Sequence, residues 1–221
     1  MMNLFLLINR EFKLSIKNFK SALFNIFFFV ISSFIFFLSF GSEFDAIIEF
    51  SHGIIWSVLL FSLIFSVDQF YDSDFKDGSL KELKILGYSS VEIIISKLLT
   101  MWFFIALPII IIAPLILYSF FGVYPYNKTL IISLFLASPS LILLASLGEI
   151  LLLRARKNKI MLMLIIIPFY IPILIFGVSA VDVAKLGFIP DKNFIILVGF
   201  FMITLPLTLV FGKLCIDQIC E

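Results

Sequence analysis

The twenty residues from Ser21 to Phe40 contain no charged side chain, and they form one of six predominantly apolar stretches. The others are 53–70, 91–121, 129–153, 160–181 and 194–215. A helix needs about 20 mostly apolar residues to cross a bilayer's hydrocarbon core. Six such stretches leave little polar material in 221 residues: 62% of the chain is hydrophobic and 14% is charged. A soluble domain carries roughly 45–50% and about 25%. The mean hydropathy is +1.18. Too few polar side chains remain to coat a water-soluble body, which excludes a soluble enzyme domain and a disordered chain. The formal net charge of +1 leaves no basic footprint for nucleic acid. In lipid every backbone polar group needs an internal partner, and a helix supplies one. The chain therefore reads as an all-α membrane protein, a single domain of six transmembrane helices.

The charges lie mostly between the spans, and their distribution predicts an orientation. Thirteen of the 16 Lys and Arg fall on one side, in 1–20, in 71–92 with nearby Lys97, in 154–159 and at Lys213. Lys128, Lys185 and Lys192 make up the other side. Basic residues concentrate on the cytoplasmic face, so both termini are expected in the cytoplasm. The first apolar run is longer than a secretory h-region and reads as an uncleaved anchor. Ahead of it, Phe5, Phe12, Ile16 and Phe19 alternate with Arg10, Lys13, Lys17 and Lys20. That pattern predicts an amphipathic helix on the cytoplasmic interface.

Several chemistries lack their residues. Cys215 and Cys220 are not in C-x-x-C spacing, and His52 is the sole histidine. Zinc and facial-triad iron sites are therefore not expected, nor is any metal site. His52 reads as a polar anchor at the outer edge of the second span; as a haem ligand it is a weak candidate. No phosphate-binding G-x-x-x-x-G-K-[ST] loop occurs, so energy for transport has to come from another subunit. Glu149, near the cytoplasmic end of the fourth span, is expected to pair with Arg154 or Lys157, with a transport role as the alternative. Pro108 and Pro114 interrupt the third span, Pro139 the fourth, Pro168 and Pro172 the fifth and Pro206 the sixth, predicting bent helices in a packed bundle.

The longest polar connector is 71–90. Asp77-Gly78-Ser79 reads as a turn into a helix, with Ser79 as cap and Glu82 at capping-box spacing. Leu80, Leu83 and Leu86 then share one face. A short amphipathic helix of this kind either lies on the membrane or enters a groove on a soluble partner.

Taken in order, these residues carry a resemblance. Gly53-Ile54-Ile55-Trp56 opens the second span, and Asp74-x-x-Asp77-Gly78-Ser79-Leu80-x-x-Leu83 fills the connector. Lys97, Trp102, Leu107-Pro108, Pro114-Leu115 and Gly122 mark the third span. Ser138-Pro139-Ser140, the basic turn from Arg154 and Pro168-x-x-x-Pro172 follow. Over about residues 10–215 the chain resembles the cytochrome c maturation protein B family, haem-exporter permeases of the ABC-2 type. It departs from the family pattern at Gln69, at Gly87-Tyr88-Ser89 and at Glu149, where a small residue is expected.

The resemblance implies a transmembrane subunit of an ATP-binding-cassette complex for cytochrome c maturation. It implies two permease copies beside a cytoplasmic ATPase that binds the ATP. A haem-handling membrane protein, a small membrane helper and a periplasmic haem chaperone complete the implied set. Haem is the implied substrate of the complex, and ATP hydrolysis would serve its export or the release of the loaded chaperone. Asp74, Asp77, Gly78, Ser79, Leu80 and Leu83 become the candidate ATPase-coupling residues, with the two leucines as apolar anchors. Trp56, Trp102, Pro108, Pro114, Pro168 and Pro172 become a candidate face toward haem or the second permease, lipid contact being the alternative. The residues alone leave open a permease for lipid, polysaccharide or drug, and a non-transporting membrane scaffold. The expected location is a bacterial inner membrane. The mitochondrial inner membrane is the alternative, since the abundance of Phe, Ile and Lys suits an AT-rich genome.

Overall fold

The computed structural model describes residues 2–17, 19–39, 44–66, 71–121, 126–153 and 159–220. Gln69, Gly122 and the basic turn from Arg154 to Asn158 lie outside them. Among the described residues the chain is helical, with no strand. The helices are α1 (Met2–Lys17), α2 (Phe19–Ser39), α3 (Phe44–Ser66), α4 (Asp72–Lys76), α5 (Ser79–Ile85), α6 (Ser90–Met101), α7 (Leu107–Phe121), α8 (Asn127–Leu152), α9 (Lys159–Lys185) and α10 (Asp191–Cys220). A π-helical turn, Trp102–Ala106, joins α6 to α7. The joined α6–α7 rod and α2, α8, α9 and α10 are long and apolar enough to cross a membrane. α3 supplies a sixth rod; its apolar stretch Ile48–Ile64 is shorter. The protein is an all-α membrane protein. Two boundaries differ most from expectation. α3 begins at Phe44 rather than near Gly53, which brings Glu49 and His52 into the helix, and α10 continues to Cys220.

α8 occupies the middle, with α3, α6, α7, α9 and α10 packed on it. Its span is 61% buried, against 17% for α10. Its sequence explains the position. Ala137, Ser138, Ser140, Ala145, Ser146 and Gly148 are all buried on it, and small residues let neighbouring backbones approach closely. Polar side chains then tie the neighbours to α8's backbone. The Tyr170 hydroxyl donates to the Leu141 carbonyl at 2.9 Å, and the Thr208 hydroxyl to the Leu143 carbonyl at 3.1 Å.

α3 and α9 meet through a large ring and a missing side chain. Trp56 is fully buried. A Cβ placed on Gly177 would come within 2.2 Å of its indole. Only glycine leaves α9 room for that ring.

Prolines leave traces that can be followed atom by atom. Pro139 cannot donate to the carbonyl of Phe135, four residues back. The Ser138 hydroxyl donates to that carbonyl instead, at 3.1 Å. The indole N–H of Trp102 donates to the same Ser138 oxygen at 2.9 Å. A freed carbonyl in lipid is thus re-satisfied, and the repair links α8 to the π-helical turn. That turn lies immediately before Leu107-Pro108, where a one-residue bulge absorbs the mismatch in the hydrogen-bond ladder.

Capping also departs from expectation. Ser79 is not the cap of its helix: Gly78 holds that position with φ +85°, and Ser79 is the first helical residue. The capping box belongs to the next helix, where the Ser89 N–H donates to Glu92 at 2.9 Å and the Glu92 N–H returns to Ser89 Oγ at 3.2 Å.

α1 packs along α6. Its expected apolar stripe is divided: Phe12 meets Phe103 and Phe104 edge-on, while Phe5 and Ile16 face outward.

Candidate functional site

The connector between α3 and α6 folds as two short helices, α4 and α5, fastened to the bundle by buried charge. Asp74 is buried, and its Oδ2 lies 2.6 Å from Lys97 Nζ. Lys97, 1% exposed, also reaches Glu11 Oε2 at 3.1 Å. Arg10 lies 2.5 Å from Glu11 and 3.7 Å from Asp74. Lys97 stands 5.4 Å above the Tyr71 ring, which adds a cation–π contact. Two cations and two carboxylates therefore meet where α1, α4 and α6 converge. Their charges balance, and an isolated charge at such a place would carry a desolvation penalty of several kcal/mol.

Glu149 completes the fastening from α8. Its Oε1 accepts the Tyr71 N–H at 2.7 Å and the Asp72 N–H at 3.1 Å. These are among the N–H groups that the start of a helix leaves without an intrahelical acceptor, and a carboxylate suits that electropositive end. The Tyr71 hydroxyl adds a 2.9 Å bond to Ser146. Glu149 thus has a role that its expected pairing with Arg154 or Lys157 did not include: it caps α4. Those two basic residues fall outside the described ones.

The turn from α4 to α5 is built by Asp77 and Gly78. Asp77 accepts the Ser79 N–H at 2.9 Å and the Ser79 hydroxyl. These bonds hold its carboxyl below the usual aspartate range. Gly78 takes the positive φ that the turn requires.

α5 differs from the sequence expectation in one respect that matters for docking. Leu80 and Leu83 are 1% and 4% exposed, packed within the chain, and are not offered to a partner. Ile85 and Leu86 are 85% and 71% exposed. Lys81 and Glu82 lie outward beside them. Asp74 likewise points into the bundle, while Asp77 is exposed. The helical period sets residue 85 off from the inward face of 80 and 83, whereas Leu86, expected on that same face, is the C-cap beyond the last turn and stays exposed.

The other expected residues lie apart. His52 is buried, and both ring nitrogens are engaged. Nε2 is 2.8 Å from Asp182 and Nδ1 is 3.1 Å from Lys185, whose Nζ also donates to the Glu49 carbonyl at 2.5 Å. Iron could reach His52 only by displacing one of these contacts, so the geometry does not suit it as a haem ligand. Trp56 and Trp102 pack on different helices, α9 and α8. Trp56 is fully buried within the bundle and is part of its packing against α9. Trp102 is partly exposed, edge-on to the exposed Phe103 and Phe135. Pro108, Pro114 and Pro172 are half-buried and Pro168 is exposed, each inside its helix or at its start. Among the described residues no group of His, Cys, Asp or Glu is placed to hold a metal ion.

Arg10, Glu11, Tyr71 and Asp217 were not anticipated. The available signal was Glu11, a lone acid in a basic segment, and Lys97, a lysine well inside an apolar run. Each is a charge in the wrong surroundings, and each solves the other's problem.

The family model described as CcmB protein matches residues 2–212. The chain is 28% identical over 209 residues to Heme exporter protein B of Pseudomonas aeruginosa, covering 94% of each. It is 26% identical over 197 residues to Heme exporter protein B of Haemophilus influenzae, covering 89% of each. It is 31% identical over 170 residues to that of Paracoccus denitrificans, covering 76% of this chain and 77% of the relative.

Proposed function

The chain belongs to the CcmB protein family, and we propose that it is the membrane subunit of a haem-exporting complex of the bacterial inner membrane, driven by a separate cytoplasmic ATPase. The relatives' shared name, Heme exporter protein B, supports the substrate class. The lack of a phosphate-binding loop in the sequence supports a separate motor. The excess of Lys and Arg in 1–20, 71–92 and 154–159 supports cytoplasmic termini and a cytoplasmic α4–α5 connector. In this reading a second copy of the chain, a haem-handling membrane protein, a small helper and a periplasmic haem chaperone complete the assembly. ATP hydrolysis serves haem export or release of the loaded chaperone. Trp102, edge-on to the exposed Phe103 and Phe135, and the exposed Pro168 are the parts of the expected partner face that reach furthest outside.

One observation carries the docking role: α5 is rooted by Leu80 and Leu83 and presents Lys81, Glu82, Ile85 and Leu86 outward. Two large apolar side chains at the tip of a polar connector match the apolar anchor and charged rim of a helix that enters a partner's groove. Asp77, Gly78 and Ser79 set the angle at which α5 leaves α4, and Asp74 holds the pair to the bundle. Ile85→Asp and Leu86→Asp are expected to reduce the ATPase recovered with the purified chain by about tenfold or more, hot-spot truncations costing ≥ 2 kcal/mol, at unchanged membrane abundance. Undiminished recovery of the ATPase with the double variant refutes the docking role.

A further inference from the structure

The two short helices of the connector are held by different parts of the bundle. α4 is fastened to α8 through Glu149 and to α6 and α1 through Lys97 and Arg10. α5 is fastened to α10. Lys84 Nζ lies 2.7 Å from Asp217 Oδ1 and 2.9 Å from Ser90 Oγ, and the Ser90 hydroxyl donates to the same Asp217 oxygen. The backbone of α5 touches α10 as well, with Cys220 Sγ 3.9 Å from the Leu80 carbonyl. Of the five long spans α10 has the smallest buried share, so most of its surface lies outside the bundle although it packs along α8. Gly78 at the α4–α5 joint leaves the two halves of the connector joined by a single turn.

We propose that Asp217 is the positioning residue that hands displacement of α5 to the last span, so that the motor's stroke enters the membrane through α10 as well as through α6, whose first residue, Ser90, shares the contact. This rests on α5 being the ATPase-docking element. Asp217 touches no substrate; it acts by holding Lys84 and Ser90, and through them the angle between α5 and α10.

The test uses the whole complex, purified with its ATPase, in a Cys215→Ser background that leaves Cys220 as this chain's single thiol. Four quantities are read: ATPase recovery, ATP turnover, haem delivery to the chaperone, and the rate at which a maleimide modifies Cys220. Asp217→Asn is expected to leave ATPase recovery and turnover unchanged, to accelerate Cys220 modification, and to cut haem delivery about fivefold or more, the lower end of ordinary coupling between sites. Asp217→Glu is expected to restore delivery. Unchanged delivery in Asp217→Asn overturns the proposal. If the single variant does not accumulate, the exchange Lys84→Asp with Asp217→Lys decides: restored delivery supports the clamp, and its absence overturns it. Ile85→Asp, run in parallel, separates the two readings. ATPase retained in that variant refutes docking through α5. ATPase lost there, with normal delivery by Asp217→Asn, refutes the clamp alone.

Discussion

Lys97 and Asp74 sit 2.6 Å apart where three helices converge, and neither has water to fall back on. Removing one partner of such a pair leaves the other buried and uncompensated, typically at a cost of about 3–5 kcal/mol. Lys97→Ala is therefore expected to destabilise the protein by that amount, seen as a large fall in denaturation temperature in detergent. Lys97→Arg, which keeps the charge, should lose much less. Equal losses in the two variants would mean that volume rather than charge matters at this place. Gly177 makes a contrasting prediction from shape alone. A methyl group there meets the Trp56 ring at 2.2 Å, and overpacking of this kind costs roughly 1–3 kcal/mol. Gly177→Ala should lower stability by that order, and a smaller residue at position 56 should relieve it. A Gly177→Ala protein as stable as the parent would place the ring elsewhere.

At the scale of the element, the repairs around the prolines and the seating of α4 decide how rigid each piece is. Ser138→Ala leaves the Phe135 carbonyl and the Trp102 indole without their shared partner. Hydrogen bonds between membrane helices average about 0.6 kcal/mol, so a loss of roughly 1 kcal/mol is expected for the pair. Near-ultraviolet dichroism of Trp102 should change with it; an unaltered signal and stability would deny the link between α8 and the π-helical turn. Glu149→Gln keeps an acceptor oxygen for Tyr71 and Asp72, whereas Glu149→Ala removes it. The alanine variant should cost about 1–3 kcal/mol and the glutamine variant less. Proteolysis within 71–90 reads the difference, and equal protection in both variants would rule out the cap. The sequence carries the turn at 77–79 plainly, through Asp-Gly-Ser. It also carries a capping signature at 89–92 of the same form as the one at 79–82. Both pairs have Ser and Glu three residues apart, and only the positive φ of Gly78 decides between them.

For the molecule as a whole, the apolar runs declare themselves because lipid imposes one requirement, length without charge, that local sequence states directly. What each helix face meets is not local. Leu80 and Leu83 read as an exposed stripe because amphipathicity says which face is apolar and not whether the chain itself will cover it. The elements packed beside α5 are α4 and α10, and Cys220, 140 residues away in the chain, meets the Leu80 carbonyl. The same holds for Asp74, whose partners Arg10 and Lys97 come from two other helices. Function was legible where spans, a motorless sequence and one sizeable connector coincide, and illegible where long-range packing chooses which residues of that connector remain outside. If the exposed tip of α5 meets a cytoplasmic ATPase, as proposed, the two lie within cross-linking distance. A photoreactive amino acid placed at Ile85 in the intact complex tests it most directly. A covalent adduct with the ATPase is expected, formed in sealed inside-out membranes and lost in the Leu86→Asp variant. Adducts with lipid alone, or labelling of position 85 only from the opposite face of the membrane, would contradict it.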